Sequence, residues 1–436
     1  MSDTRTSEYI DGLARFIQAG PSSYHAARET ADRLVAAGAV ELDESAAWPT
    51  AAGRYVVVRD GAVIAWIVPE GAGPLTPFRI LGAHTDSPGF KLKPHPTTVV
   101  NGWLQAGVEV YGGPLLNSWL DRELELAGRL VTTDGTEHLV RTGPFLRIPQ
   151  LAIHLDRGVN NDGLKLDKQR HTQPVWGVGL DAAAQQGTQD ALLDHLAGLA
   201  GVAASDIAGY DIMTADTATP ARFGLDDALF AAGRMDNLTS VFAGLTALLS
   251  AASSDVPAAR HISVLAAFDH EELGSESRSG AAGPFLADVL ERIGAGLGAS
   301  SSDRLRALAS SWCVSADAGH ALHPNYAERH DPVNKPVPGG GPLLKINANQ
   351  RYATDAAGAA LWARLCAAAG VPFQEFVSNN AIPCGSTIGP ITATRLGIRV
   401  VDVGAPLLSM HSARELVHVD DAAALAAAVT AFFAGA

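Results

Sequence analysis

The chain has 436 residues, 47% hydrophobic and 18% charged, with a formal net charge of −14. That length calls for two domains with ample buried core, and the composition excludes a disordered chain. The acidic balance argues against nucleic acid as a partner, because phosphate binding needs a basic surface.

From Met1 to Glu8 the chain is polar, with no apolar export segment, and no later apolar run is long enough to span a bilayer. No membrane partner is expected. Amphipathic helices are expected over Tyr9–Gln18 and Tyr24–Ala37, divided by Pro21-Ser22-Ser23 with its capping hydroxyls. Tyr55–Val58 and Ala62–Trp66 flank Asp60-Gly61, a hairpin signal, and an apolar strand Phe78–Leu81 runs into Gly82-Ala83-His84-Thr85-Asp86. From about Lys93 to Gly224 the texture changes to strand-like alternation, as in Leu124–Leu126 and Gly128–Val131, with a turn at Asp134-Gly135. After Gly233, strands (Ile262–Phe268, Cys313–Ala316, Arg399–Val403) alternate with long helices (Ala356–Ala369, Asp421–Phe433). This predicts an α/β domain over residues 1–92 and 231–436, interrupted by a β-rich insert over 93–230. Cys313, Cys366 and Cys384 show no paired spacing, so neither disulfides nor a cysteine-based zinc site is expected, and a cytoplasmic setting fits.

Five short segments carry potential metal ligands: His84-Thr85-Asp86, Asp236-Asn237, Asp269-His270-Glu271-Glu272, Asp317-Ala318-Gly319-His320 and Met410-His411-Ser412. Most follow an expected strand, and ligands in open α/β sheets bind beyond the strands' carboxyl ends. Asp236 instead begins a helix. Taken singly, each has an ordinary reading. His84 and His411 read as hydrogen-bonded loop histidines, Glu271-Glu272 as a solvated pair, Asp236 as a helix cap, and Asp317 as a strand-end carboxylate. Together they read differently, because adjacent acids beyond an apolar strand repel unless a cation neutralises them.

A two-zinc site accounts for the set. Zinc takes imidazole nitrogen and carboxylate oxygen, and paired metals clamp attacking and leaving oxygens. His84 and Asp317 would hold one ion, Glu272 and His411 the other, with Asp236 bridging. Manganese or cobalt would suit the same ligands. Glu271 would move protons as the general base, and Asp86 would accept the second ring N–H of His84.

The order His-x-Asp, Asp, Glu-Glu, Asp, His is that of the co-catalytic zinc exopeptidases. Over nearly its whole length the chain resembles the aspartyl aminopeptidase family. The match is carried by LGAHTDSPGFKLKP (81–94), IPQLAIHL (148–155), GRMDNL (233–238), DHEELGSES (269–277), SADAGHALHPNY (315–326), KINANQRYA (345–353), PCGSTIGP (383–390) and MHSARE (410–415). The resemblance implies a phosphorylase-like zinc exopeptidase domain with an inserted β-rich dimerisation domain, and dimers that build a dodecamer. It also implies removal of N-terminal Asp or Glu from peptides with a free N-terminus. It places the zinc ligands on His84, Asp236, Glu272, Asp317 and His411, and the base on Glu271. His154 matches a family histidine assigned either to a neighbouring protomer's active site, the preferred reading here, or to a metal. Asn379-Asn380-Ala381 departs from the family's Arg-Asn-Asp before Pro-Cys-Gly.

Selection of an acidic residue requires a cation, since an ionised carboxylate does not desolvate without a partner. Lys345 leads, followed by Arg351, His320 and His323; the sequence leaves a solvated surface role for Lys345 equally open. Two other readings stand beside this one: a zinc aminopeptidase of broad or neutral specificity, and a non-catalytic assembly or peptide-binding protein on the same fold.

Overall fold

The expected hairpin forms around Asp60-Gly61, with strand residues Gly53–Arg59 paired antiparallel to Ala62–Val68. Its apolar residues are buried on alternate sides, which commits both faces of the strands to core. The structure, a computed structural model, describes residues 3–179, 191–253 and 260–436. In chain order the strands are β1 (Val40–Glu41), β2 (Gly53–Arg59), β3 (Ala62–Val68), β4 (Phe78–His84), β5 (Gly89–Val100), β6 (Trp103–Tyr111) and β7 (Leu124–Thr132). They continue with β8 (Glu137–Arg141), β9 (Val175–Val178), β10 (Ile207–Asp216), β11 (Ala221–Phe223), β12 (Leu229–Ala232), β13 (Ile262–Phe268) and β14 (Trp312–Ala316). The last are β15 (Gly319–His320), β16 (Leu343–Ile346), β17 (Gln374–Val377), β18 (Arg399–Gly404), β19 (Pro406–Leu408) and β20 (Glu415–His418).

Among the described residues these strands make three sheets. The nine-stranded sheet has the order β1-β2-β3-β13-β4-β14-β18-β16-β17. Its middle, β13-β4-β14-β18, is parallel, with Phe268 opposite His84 and Ala316 opposite Val403. The carboxyl ends of these strands therefore finish at one level. All seven residues of β13 are buried. Leu265 and Ala267 join the core under the helices Asp3–Ala19, Met235–Ser253 and Val419–Ala434, while Val264, Ala266 and Phe268 join the core under Phe285–Gly296. Continuous apolar strands of this kind are what a sheet covered on both faces requires, and each fully buried Val, Leu or Ile contributes about 1.5–3 kcal/mol.

The insert is a second, antiparallel sheet of six strands in the order β8-β7-β10-β5-β6-β9. Leu124–Leu126 and Gly128–Val131 belong to one continuous strand, β7, and Gly135 takes the positive φ of 86° that its turn needs. The sheet packs Phe90, Leu92, Leu126 and Leu130 against Leu192 and Leu196 of the helix Ala191–Ala200. Its first strand begins at Gly89, four residues before the boundary expected at 93. The third sheet, β11-β12-β20-β19-β15, joins segments far apart in sequence and carries the chain from Leu408 into the 409–414 loop.

Candidate metal centre

The site forms where the parallel strands end. His84 is the last residue of β4, Glu271 and Glu272 lie just beyond β13, and Asp317 follows β14. Gly404 lets β18 pass close beneath Asp317, since a Cβ there would overlap the Asp317 carbonyl oxygen. Asp236 opens the helix Met235–Ser253 with non-helical φ/ψ of −81° and 100°. Non-glycine residues at or near the expected ligands adopt left-handed backbone, among them Arg234 (φ 58°), His270 (φ 65°), Ser409 (φ 56°) and His411 itself (φ 65°). Such conformations cost roughly 1–3 kcal/mol and persist where the surroundings impose them.

The five expected ligands converge. The Nε2 of His84 lies 3.2 Å from Asp236 Oδ1 and 3.4 Å from Asp317 Oδ1. The Nε2 of His411 lies 3.5 Å from both Asp236 Oδ2 and Glu272 Oε2. The two oxygens of Asp236 thus face different histidines. His84, Asp236 and Glu272 also offer donor atoms all within 4.8 Å of one another, a grouping that cuts across the two sets because Asp236 belongs to both.

Three observations show that this donor set fits metal ions. First, each histidine turns Nδ1 toward a backbone carbonyl, Asp86 O for His84 and Gly113 O for His411, both at 3.0 Å. A proton on Nδ1 leaves Nε2 as the ligand atom in both rings. Second, the buried Asp236 Oδ1 and Glu272 Oε1 find no hydrogen-bond donor among the described residues. Third, the acids need positive charge. Burial pushes Glu271 up to about 8, against the pull of His84, with Asp317 and Asp236 adding to the rise. Burial would depress His411, but Asp236 and Glu272 outweigh it and hold the ring at about 10.

Asp86 meets the His84 ring twice, through its own carbonyl oxygen at 3.0 Å and through Oδ1 at 3.4 Å. The carboxylate also accepts the backbone N–H groups of Glu271 (3.0 Å) and Glu272 (3.2 Å) and the Tyr111 hydroxyl (2.9 Å). Its lone pairs are committed to positioning the acidic pair. Glu415 does the same for the other half, accepting the N–H of Asp236 at 3.0 Å and of His411 at 2.9 Å. Sequence reasoning missed Glu415, which sits in MHSARE as an acid four residues after a ligand; only folding shows what it touches.

Lys345 is buried, 1% exposed, so the surface reading is wrong. Its Nζ donates to Ala318 O at 2.7 Å and to Asp317 Oδ2 at 3.3 Å, and it lines a cavity of about 450 Å³ together with the acidic ligands, Glu271, His320 and His411. His323 lines an adjoining cavity, whereas Arg351 is exposed and lines neither. His154 lines neither cavity and sits on an exposed turn between Leu151 and Leu155. No helix among the described residues is long and apolar enough to cross a membrane.

Residues 16–433 match the family Aminopeptidase I zinc metalloprotease (M18). The chain is 56% identical over 428 residues to a probable M18 family aminopeptidase 2 of Streptomyces avermitilis, covering 98% of each. It is 46% identical to one of Mycobacterium leprae, covering 97% of each. Among solved structures, an M18 aminopeptidase from Thermotoga maritima superposes with a TM-score of 0.87 at 25% identity, over 99% of this chain and 97% of that one. The yeast mApe1 dodecamer does so with a TM-score of 0.84 at 28% identity, over 98% and 96%. The phosphorylase-like architecture with an inserted dimerisation domain, expected from sequence, is that of these structures. The chain belongs to the M18 family of zinc metalloproteases, and it is an aminopeptidase.

Proposed function

We propose that this aminopeptidase removes N-terminal Asp or Glu from peptides with two zinc ions per chain. The observation that carries the two-ion reading is Asp236, whose two oxygens face two separate histidines, each with its own carboxylate partner. His84 and Asp317 would hold one ion, Glu272 and His411 the other. Bound there, the ions would acidify a water and polarise the scissile carbonyl. Glu271 lines the cavity, and its carboxylate lies 4.0 Å from His84 Nε2, farther than those of Asp236 and Asp317. It takes the proton of the attacking water and returns it to the leaving amine. Asp86 keeps that carboxylate in place through the Glu271 N–H.

Acidic preference rests on Lys345. Its ammonium has three donors, two committed to Ala318 O and Asp317, so one remains for a substrate carboxylate. The test compares Asp- with Leu-terminated chromogenic substrates on protein of measured zinc content. Two zinc ions and a clear preference for Asp support the reading. Equal rates would favour the broad-specificity enzyme, and one ion at full activity would end the two-zinc scheme.

We further propose self-association through the insert, as dimers building a dodecamer like that of mApe1, with His154 entering a neighbour's site. The exposed apolar residues Leu151, Ile153 and Leu155 around it support this. Three free cysteines fit a cytoplasmic setting; fractionation with an exported marker would contradict it.

A further inference from the structure

A second cavity of about 460 Å³ opens off the metal cavity, and the two share His320, Tyr352, Gly385 and Met410. Their chemistry is opposite. The metal cavity is walled by Asp236, Glu271, Glu272 and Asp317, whereas among the described residues no carboxylate lines the second, in a chain of net charge −14. Its basic wall is His320, His323, Arg329 and His330, and Cys384 also lines it.

The histidines are set as donors. The backbone N–H of Asn325 donates to His323 Nδ1 at 3.2 Å, and the N–H of His323 donates to His330 Nε2 at 3.1 Å. A ring nitrogen that accepts leaves its proton on the other, so His323 carries N–H at Nε2 and His330 at Nδ1. Burial, and the charge of Lys345, hold His320 below its ordinary range, so it is a neutral ring. The formal charge of the wall comes from Arg329, whose ion pair among the described residues is with its exposed neighbour Glu328 at 3.7 Å, a contact of little strength. Asn379 fastens this loop, donating through Nδ2 to the carbonyls of Glu328 and His330.

We infer that the second cavity receives the leaving part of the peptide and selects a carboxylate there. This rests on the reading that the first side chain meets Lys345 in the metal cavity, because the rest of the peptide must then leave through the adjoining space. The carboxylate comes from an acidic second side chain or from the C-terminus of a dipeptide.

The experiment uses zinc-loaded protein and dipeptides sharing N-terminal Asp: Asp-Glu-amide, Asp-Ala-amide, Asp-Lys-amide and the free acid Asp-Ala. The Glu side chain should raise kcat/KM about tenfold over Asp-Ala-amide, with Asp-Lys-amide lowest. A rise for free Asp-Ala but not for Asp-Glu-amide assigns the subsite to the C-terminal carboxylate; the reverse assigns it to the side chain. Arg329→Ala should bring these ratios close to one, and Arg329→Lys should restore part of them. Equal rates across all four peptides overturn the inference. So does Arg329→Ala if it alters discrimination between Asp and Leu at the first position instead, since the cavity would then hold the first side chain. Failure of the Lys345 reading is visible separately, as a wild-type preference for Leu at position one; the second-position ratios are then measured on Leu-initiated peptides and judge the cavity alone.

Discussion

The nine-stranded and six-stranded sheets meet the same site in different ways. The parallel middle of the first ends in the proposed ligands His84 and Asp317 and the Glu271-Glu272 pair, because those strands stop at one level. The antiparallel second sheet supplies none of the five. It and the loop that follows β6 reach the site with hydrogen bonds alone: Tyr111 to Asp86, Gly113 O to the His411 ring, and Leu115 N–H to the His411 carbonyl at 2.8 Å. One sheet carries the proposed chemistry, and the other contacts the groups that would perform it.

The largest break falls on the first region. Asp236→Ala should abolish turnover and lower metal content, because one carboxylate serves both proposed ions. Two metals per chain with normal turnover would remove it from the site. Glu271→Gln should leave zinc stoichiometry unchanged while turnover falls by roughly 10²–10⁴-fold. Glu272→Gln should instead weaken metal binding, with some activity recovered by excess zinc. The opposite pattern would mean that the two carboxylates have exchanged roles.

Changes in the second region should be smaller and should spare the metal. If His154 serves a neighbour, charged substitutions at Ile153 and Leu155 that dissociate the assembly should lower turnover on the order of tenfold at constant zinc content; a fully active monomer excludes this. Tyr111→Phe removes one of three donors to a buried carboxylate, a change of about 1–2 kcal/mol. Metal content should hold and turnover should fall several-fold. Loss of zinc would show that the insert does more than orient.

The smallest effect lies away from the site and concerns the first sheet's own stability. His261, just before β13, is 3.0 Å from Phe433 O, and burial, with Arg79 nearby, lowers it to about 4. The unfolded chain takes up this proton first, near pH 6.5, so stability present above that value is lost as pH falls toward 4. The loss should be roughly 2 kcal/mol at pH 5. Urea midpoints at pH 7.5 and 5 should therefore differ less for His261→Phe than for the unchanged protein; an equal difference would refute the assignment.

What was legible followed from local signals. Asp60-Gly61 marks its hairpin by turn chemistry, and the apolar runs that become β13, β14 and β18 mark a sheet buried on both faces. The acids beyond them stand out because carboxylates crowded at the end of a buried strand repel one another until a cation joins them. The remainder depended on distance in sequence. Glu415 meets an N–H 179 positions away, and β12 pairs with β20 across a similar gap, neither of which leaves a periodic trace. Lys345 looked like any lysine until a strand carried it into the core, and Arg351, six residues on, remained outside.

Glu415 has a consequence for how the enzyme comes into being. During synthesis His84, Asp236, Glu272 and Asp317 all emerge before His411 and before the carboxylate that holds both Asp236 and His411 by their backbone. The helix Val419–Ala434, which follows at once, buries Leu425, Val429 and Phe432 against the earlier helices. A nascent chain therefore carries most of the proposed zinc donors while lacking the piece that fixes them. The proposed centre is therefore held together only once this last stretch of chain has folded.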